Sequence, residues 1–213
     1  MKEQAGPARR LNGIILAGGK SSRFGRDKSR MELAGKRVLE RLVGILRRFP
    51  FKRLAIVTAP GRGGNWPEGP GIILDDQEGL GPVGGITTSL RHLSGGILVT
   101  ACDMPLISAS LVEWLLENHD PDLDAVIPRH AGGIEPLLAI YELSALPILE
   151  EAIRSGRYGL HVALEKARVR LVDVPTRFSV EREFANINTP EDYEQVVQFL
   201  EAKNHISPAK PEA

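Results

Sequence analysis

Short apolar runs alternate with amphipathic segments along the first half of the chain. An uninterrupted apolar run that stops at a glycine or a polar residue is typical of a strand buried on both faces. Runs of this kind predict strands at residues 12–17, 53–58, 71–74 and 96–101. Between them, apolar residues recur about every three to four positions, which predicts helices at residues 37–49, 82–93 and 108–118.

The second half of the chain continues both patterns. It predicts strands at residues 124–128, 136–141 and 169–174, and helices at 144–155, 159–166 and 189–202. The last helix carries a start signal, with Thr189 at the N-cap, Pro190 at the first helical position and Asp192 at the third position of a capping box. Strands that alternate with helices indicate an α/β domain with a mostly parallel sheet, in which ligands bind beyond the carboxyl ends of the strands.

Length and charge limit the number of domains and the classes of protein to which this chain could belong. The chain has 213 residues, with 27 Lys plus Arg balanced by 27 Asp plus Glu. A net charge of zero and 5% aromatic residues are unlike a dedicated nucleic-acid binder. We expect one domain over residues 11–202, with flexible ends at residues 1–10 and 203–213.

Cysteine content and the length of apolar runs indicate in which cellular compartment the protein is expected. Cys102 is the one cysteine, so the sequence offers neither an intrachain disulfide nor a cysteine-based zinc cage. The longest stretch without Asp, Glu, Lys or Arg covers residues 79–90, well short of the roughly 20 residues that a membrane-spanning helix needs. The apolar stretch after Arg9 and Arg10 is too short for a twin-arginine or secretory signal. We therefore expect a cytoplasmic protein.

The segment LAGGKSSRFGRDK, residues 16–28, is the richest in candidate chemistry. Glycines allow backbone N–H groups to approach phosphate oxygens closely, and the basic side chains can neutralise phosphate charge. The spacing of the glycines excludes two well-known nucleotide-binding loops. A Walker loop would need a glycine where Ile14 stands, and Lys20 occupies the second glycine position of the dinucleotide fingerprint. A polar strand-to-helix turn without a ligand is the competing interpretation.

Three further segments place polar side chains beside predicted strands or helices. Asp103 follows the strand at 96–101, where a carboxylate can hold Mg²⁺, and helix capping is the alternative role. Asp75 and Asp76 follow the strand at 71–74 and precede the glycine-rich residues 79–85. Asn186 and Asn188 stand just before the last helix, and capping does not require both of them.

Taken together, these segments resemble the molybdenum cofactor guanylyltransferases, a family of nucleotidyltransferases. The family motif Leu-Ala-Gly-Gly-x-Ser-x-Arg-Met-Gly-x-Asp-Lys matches residues 16–28, with Phe24 in place of methionine. Gly-Pro-Leu-x-Gly matches residues 81–85 with Val83 in place of leucine. Cys-Asp-x-Pro matches residues 102–105, and Asn-x-Asn-Thr-Pro-Glu matches residues 186–191. The matches occur in the family's order across residues 12–200, so they are specific as a set.

The resemblance implies a three-layer Rossmann-like nucleotidyltransferase fold. It also implies transfer of GMP from GTP to the terminal phosphate of molybdopterin, which gives molybdopterin guanine dinucleotide and pyrophosphate. The implied metal is Mg²⁺ on Asp103, with Mn²⁺ as an alternative, and Asn186 and Asn188 face the pterin. The implied GTP-binding residues are Leu16, Ala17, Gly18, Gly19, Lys28, Asp75 and Asp103. The aspartate that contacts the nucleotide is Asp75 if the preceding strand sets the register, and Asp76 if the loop to Gly81 does.

The residue types in these segments suit a transfer of GMP to a phosphate. A phosphate monoester is mostly ionised at neutral pH, because its second pKa is near 6, so it needs no general base. We expect catalysis by positioning and charge stabilisation, carried by Arg23, Lys28 and Asp103. The role of Arg23 as a clamp on the transition state is a hypothesis from its residue type and place. Expected partners are GTP, molybdopterin and, transiently, cofactor-biosynthesis proteins and molybdoenzyme apoproteins, with no nucleic acid and no membrane.

Other activities remain open at this point. A cytidylyltransferase acting on the same cofactor, or a sugar- or polyol-phosphate nucleotidyltransferase, would share most of these residues. A nucleotide-binding module without catalysis would bind GTP and release no pyrophosphate. The missing dinucleotide fingerprint disfavours an oxidoreductase on a related fold.

Overall fold

The central sheet holds eight strands in the part of the chain that the structure describes. The structure is a computed structural model, and it describes residues 7–18, 31–61 and 65–205. The sheet strands are β1 (Asn12–Leu16), β4 (Leu54–Thr58), β5 (Gly71–Leu74), β6 (Ile97–Ala101), β7 (Ala125–His130), β8 (Gly133–Ile134), β9 (Ala139–Tyr141) and β10 (Val169–Asp173). Their order in the sheet is β10-β7-β9-β6-β1-β4-β5, with β8 paired to β7. A separate two-stranded ribbon pairs β2 (Glu32–Leu33) with β3 (Lys36–Arg37).

Helices cover both faces of the sheet and make the domain three-layered. They are α1 (Val38–Leu46), α2 (Pro82–His92), α3 (Ala109–Glu117), α4 (Leu146–Arg154), α5 (Leu160–Ala163), α6 (Val180–Glu183) and α7 (Pro190–His205). One apolar core joins α1, α3 and α7 to the face that carries Ile15, and the other joins α2, α4 and α5 to the face that carries Ile14. Both faces of β1 are therefore buried, which explains its continuous apolar run. The predicted fold class, a mostly parallel sheet flanked by helices, is confirmed.

Strand β9 reverses the direction of the chain inside the sheet. It lies between β6 and β7 and runs antiparallel to both, with Val99 opposite Ala139. The turn between β7 and β9 contains β8, which folds back on β7. Because β9 runs the other way, its first residues lie at the same edge of the sheet as the carboxyl ends of the parallel strands.

The start of α7 has the predicted capping box. The Asp192 N–H donates to Thr189 Oγ1 at 3.2 Å, and the Thr189 N–H donates to Asp192 Oδ2 at 2.8 Å. These bonds satisfy N–H groups that have no partner within the helix. Across the described helices, none is both long and apolar enough to cross a bilayer.

Candidate active site

The predicted site residues that the structure describes lie along one edge of the sheet. Leu16 ends β1, and the buried Ala17 and exposed Gly18 follow it. The Ala17 N–H donates to Val57 O at 2.8 Å, and Leu16 O accepts from the Cys102 N–H at 3.0 Å. These bonds extend the strand pairing to the point where the chain leaves the sheet. Gly19, Arg23 and Lys28 lie outside the described residues.

Asp75 follows β5 and is held by helix α2. Its backbone N–H donates to Thr58 O at 2.8 Å, and its Oδ1 accepts a hydrogen bond from the Thr88 hydroxyl at 2.8 Å. Partial burial raises the pKa of Asp75, and the bond from Thr88 opposes that rise. Asp75 is thus an oriented, half-buried carboxylate at the site edge. Thr88 belongs to none of the four motifs, so the sequence alone did not identify its role.

Glycines at the start of α2 bring that helix close to Asp75 and to β1. A Cβ atom on Gly84 would lie 3.2 Å from Asp75 Oδ2, and one on Gly85 would lie 2.9 Å from Leu16 Cδ2. The N-cap, Gly81, has φ +67°, a left-handed conformation that glycine adopts without strain. Gly84 and Gly85 therefore allow α2 to pack closely against Asp75 and β1.

Asp76 has different partners from its neighbour. Its carboxylate accepts hydrogen bonds from Arg91 Nη1 at 2.5 Å and from His92 Nε2 at 2.8 Å, both on α2. These bonds, the one from His92 foremost, lower the pKa of Asp76. Asp76 is therefore part of a surface ion-pair cluster, whereas Asp75 Oδ2 faces the glycines at the start of α2.

Asp103 brings the distant asparagine motif to the same edge. The Ile187 N–H donates to the backbone carbonyl of Asp103 at 2.8 Å, and the Ile187 side chain is buried. Asn186 and Asn188 flank Ile187, so one backbone hydrogen bond places both beside the end of β6. Asn186 Nδ2 donates to Phe184 O at 3.3 Å, and the Asn188 N–H donates to Asp192 Oδ2 at 2.8 Å. The structure thus brings two predicted motifs together.

A second carboxylate, Glu135, lies near Asp103 and was not among the predicted site residues. It precedes β9, and it accepts a hydrogen bond on Oε1 from the Leu137 N–H at 3.2 Å. Burial is the main cause that raises its pKa, and the negative charge of Asp103 raises it further. The fully buried Tyr141 donates its hydroxyl to Pro136 O at 2.8 Å, and burial raises its pKa. The signal that could have identified Glu135 is a carboxylate directly before an apolar run.

Comparison with known proteins assigns this arrangement to a family. The sequence profile of the MobA-like NTP transferase domain matches residues 13–171. The chain belongs to this family. The resemblance drawn from the four motifs is therefore confirmed, and the protein is a nucleotidyltransferase.

Relatives that match this MobA-like chain over nearly their whole length share one name. The "probable molybdenum cofactor guanylyltransferase" of Carboxydothermus hydrogenoformans is 32% identical over 198 residues, which is 91% of this chain and 98% of that protein. The protein of the same name from Chloroflexus aggregans is 34% identical over 211 residues, covering 91% and 97%. The crystal structure of molybdopterin-guanine dinucleotide biosynthesis protein A from Archaeoglobus fulgidus superposes with a TM-score of 0.77 at 30% identity, covering 90% of this chain and 100% of that one.

Proposed function

We propose that this nucleotidyltransferase transfers GMP from GTP to the terminal phosphate of molybdopterin and releases pyrophosphate. The observation that carries the proposal is the placement of Asp75, Asp103 and the Asn186–Asn188 motif along one sheet edge, on either side of Gly18. The names of the full-length relatives supply the guanylyl group and the cofactor.

The residues present suit a hard divalent cation. Asp103 offers carboxylate oxygen, the ligand that Mg²⁺ prefers. Within the described residues there is no cluster of three or more His, Cys, Asp or Glu arranged as a metal cage. Mg²⁺ is commonly held by one or two carboxylates, with the remaining positions taken by water and substrate phosphates. We therefore propose Mg²⁺ on Asp103, with Mn²⁺ able to replace it, and the cation would supply charge neutralisation at the phosphates when bound.

The proposed chemistry is an in-line substitution at the α-phosphorus of GTP. An oxygen of the acceptor phosphate forms a bond to the α-phosphorus, and the bond from that phosphorus to the bridging oxygen of the β-phosphate breaks. The electron pair leaves with pyrophosphate. The acceptor is already ionised at neutral pH, so no side chain has to remove a proton. The protein's part is to align the two phosphates and to stabilise the developing charge.

The named side chains divide this work between two substrates. Asp75 accepts a hydrogen bond from a donor group of the nucleotide, because Asp76 is already held by Arg91 and His92. Backbone N–H groups of the segment after Leu16 contact the phosphates. Lys28 and Arg23 add positive charge there, and Asn186 and Asn188 contact the pterin half.

A nucleotide-dependent thermal shift tests the proposal. The protein is melted with Mg²⁺ and GTP, CTP, ATP or UTP, as wild type, Asp103→Asn and the control Glu113→Gln, an exposed carboxylate on α3. At 100 times its dissociation constant a ligand adds about 2.7 kcal/mol, which raises the melting temperature of a domain this size by about 5–10 °C. We expect that rise with GTP in wild type and Glu113→Gln, and a smaller rise in Asp103→Asn.

A turnover assay completes the test. Pyrophosphate release should require GTP together with molybdopterin, and it should fall in Asp103→Asn. A shift with CTP instead of GTP would assign the chain to the cytidylyl alternative. A shift with GTP but no pyrophosphate release in the presence of molybdopterin would contradict the proposed acceptor.

A further inference from the structure

Glu135 is held rigidly beside the proposed site but has no part in the reaction as described so far. Its backbone N–H donates to Pro128 O at 2.9 Å, and its backbone carbonyl accepts from the Leu138 N–H at 3.3 Å. Its Oε1 accepts from the Leu137 N–H at 3.2 Å. Three hydrogen bonds within one turn thus fix both the backbone and one carboxylate oxygen.

The direction of β9 places this carboxylate opposite Asp103. In the antiparallel pairing of β6 with β9, Ile97 lies opposite Tyr141 and Val99 opposite Ala139. The chain that enters β9 therefore lies at the carboxyl end of β6, where Asp103 follows the strand. Asp103 and Glu135 therefore lie at the same edge of the sheet, next to the neighbouring strands β6 and β9.

The surroundings of Glu135 differ from those of three ion-paired aspartates in this fold. Asp124 is paired with Arg168, Asp76 with Arg91 and His92, and Asp173 with Arg129. Glu135 forms no ion pair with Lys, Arg or His in residues 7–18, 31–61 and 65–205. Two partly buried carboxylates close together repel each other unless a cation lies between them.

We propose that Glu135 supplies a second carboxylate oxygen to the divalent cation on Asp103. A cation between the two side chains offsets both negative charges, and it satisfies the preference of Mg²⁺ and Mn²⁺ for oxygen ligands. The inference rests on the proposed function for the presence of a cation at Asp103. It adds a residue from the β8–β9 turn, which the four sequence motifs do not include.

Mn²⁺ binding measured without nucleotide tests the inference apart from catalysis. Mn²⁺ is titrated into the free enzyme, and the unbound ion is measured by electron paramagnetic resonance. The proteins compared are wild type, Glu135→Gln, Asp103→Asn and the control Glu113→Gln. Glutamine keeps the Oε1 acceptor for the Leu137 N–H and removes only the charge. We expect Mn²⁺ binding about tenfold weaker or more in Glu135→Gln and in Asp103→Asn, and unchanged binding in Glu113→Gln.

The melting temperature separates a metal role from a structural one. Without metal, Glu135→Gln should melt at or above the wild-type temperature, because it removes repulsion between two carboxylates. The rise produced by Mn²⁺ should be smaller than in wild type. A variant that melts well below wild type without metal, and keeps the full Mn²⁺-induced rise, would show that Glu135 serves only the turn.

The outcomes distinguish this inference from the proposed function. If Glu135→Gln binds Mn²⁺ as wild type does while Asp103→Asn does not, the inference is wrong and the Asp103 assignment stands. If wild type binds no Mn²⁺ without nucleotide, the inference is wrong, and the thermal shift with GTP and the turnover assay decide the proposed function. If both variants lose Mn²⁺ binding but the wild type releases no pyrophosphate from GTP in the presence of molybdopterin, the two-carboxylate site stands and the proposed reaction is wrong.

Discussion

Replacement of Thr88 by valine tests how Asp75 is held. The Thr88 hydroxyl donates to Asp75 Oδ1 at 2.8 Å and accepts from the Asp76 N–H at 3.2 Å. The Thr88 side chain is buried, with 2% of its surface exposed. Valine has nearly the same shape, and Thr88→Val therefore removes two hydrogen bonds without leaving a cavity.

The magnitude follows from the two bonds that are lost. A hydrogen bond to a charged group contributes about 1.5–3 kcal/mol, and the lower end applies because Asp75 is only half-buried and water can partly replace the donor. The Asp76 N–H belongs to an exposed residue, and its loss adds about 0.5–1 kcal/mol. The free energy of unfolding should therefore fall by about 2–2.5 kcal/mol, which lowers the melting temperature by about 4–10 °C.

Denaturant unfolding and thermal melts of Thr88→Val and Thr88→Ser measure the effect. Serine keeps the hydroxyl and loses one methyl group, so it should cost about 1 kcal/mol. The rise in melting temperature caused by GTP should shrink in Thr88→Val, because Asp75 is no longer oriented, and persist in Thr88→Ser. Equal losses of stability in the two variants would refute the role of the hydrogen bonds. A full GTP effect in Thr88→Val would refute the need to orient Asp75.

For three further residues, the surrounding groups predict whether a substitution raises or lowers the stability of the fold. Asp75→Asn should raise the melting temperature at neutral pH and weaken the GTP-induced shift, because burial raises the pKa of Asp75 and so disfavours its charged form in the fold. Asp124 has its pKa lowered from 3.8 to about 2 by the side chain of Arg168. Its contribution, about 1–2 kcal/mol after allowing for the exposure of Arg168, is full above pH 4 and lost as the pH falls towards 2. Melts of wild type and Asp124→Asn across that range should therefore converge at low pH. Thr189→Ala should cost about 1 kcal/mol in denaturant unfolding by removing the cap of α7, whereas Thr189→Ser should cost less.

Strands buried on both faces are the elements that the sequence predicts well. β1 and β6 are continuous apolar runs because helices pack on both sides of them, so no polar residue interrupts the pattern. Helix ends are less well predicted. The pattern predicts a helix to residue 49, but α1 ends at Leu46, because the Arg48 N–H bonds to Ile45 O and the Phe49 N–H to Leu46 O. Apolar spacing does not distinguish these tighter turns from α-helix.

The ribbon of β2 and β3 is an element that the pattern of apolar residues does not predict. Each strand has two residues, too few for a periodicity, and the sequence pattern predicts no element between the strand at 12–17 and the helix at 37–49. Its turn uses Ala34 with φ 49° and Gly35 with φ 73°. Leu33 is fully buried and ties the ribbon to the core. Long-range packing, rather than local propensity, accounts for this element.

The candidate site was predicted from residues that follow strands, and that choice explains why it includes Asp75 and Asp103 and leaves out Glu135. In a parallel sheet every carboxyl end lies at one edge, so Asp75 and Asp103 were candidates from their positions alone. The same rule passes over Glu135, which precedes a strand. A residue before a strand reaches the active edge only where that strand is antiparallel, and no apolar pattern in residues 136–141 reports strand direction. Here the reversal of β9 between two parallel strands brings a turn carboxylate, Glu135, to the sheet edge at which Asp103 lies. In a sheet with such a reversal, polar residues at the start of the antiparallel strand therefore belong among the site candidates.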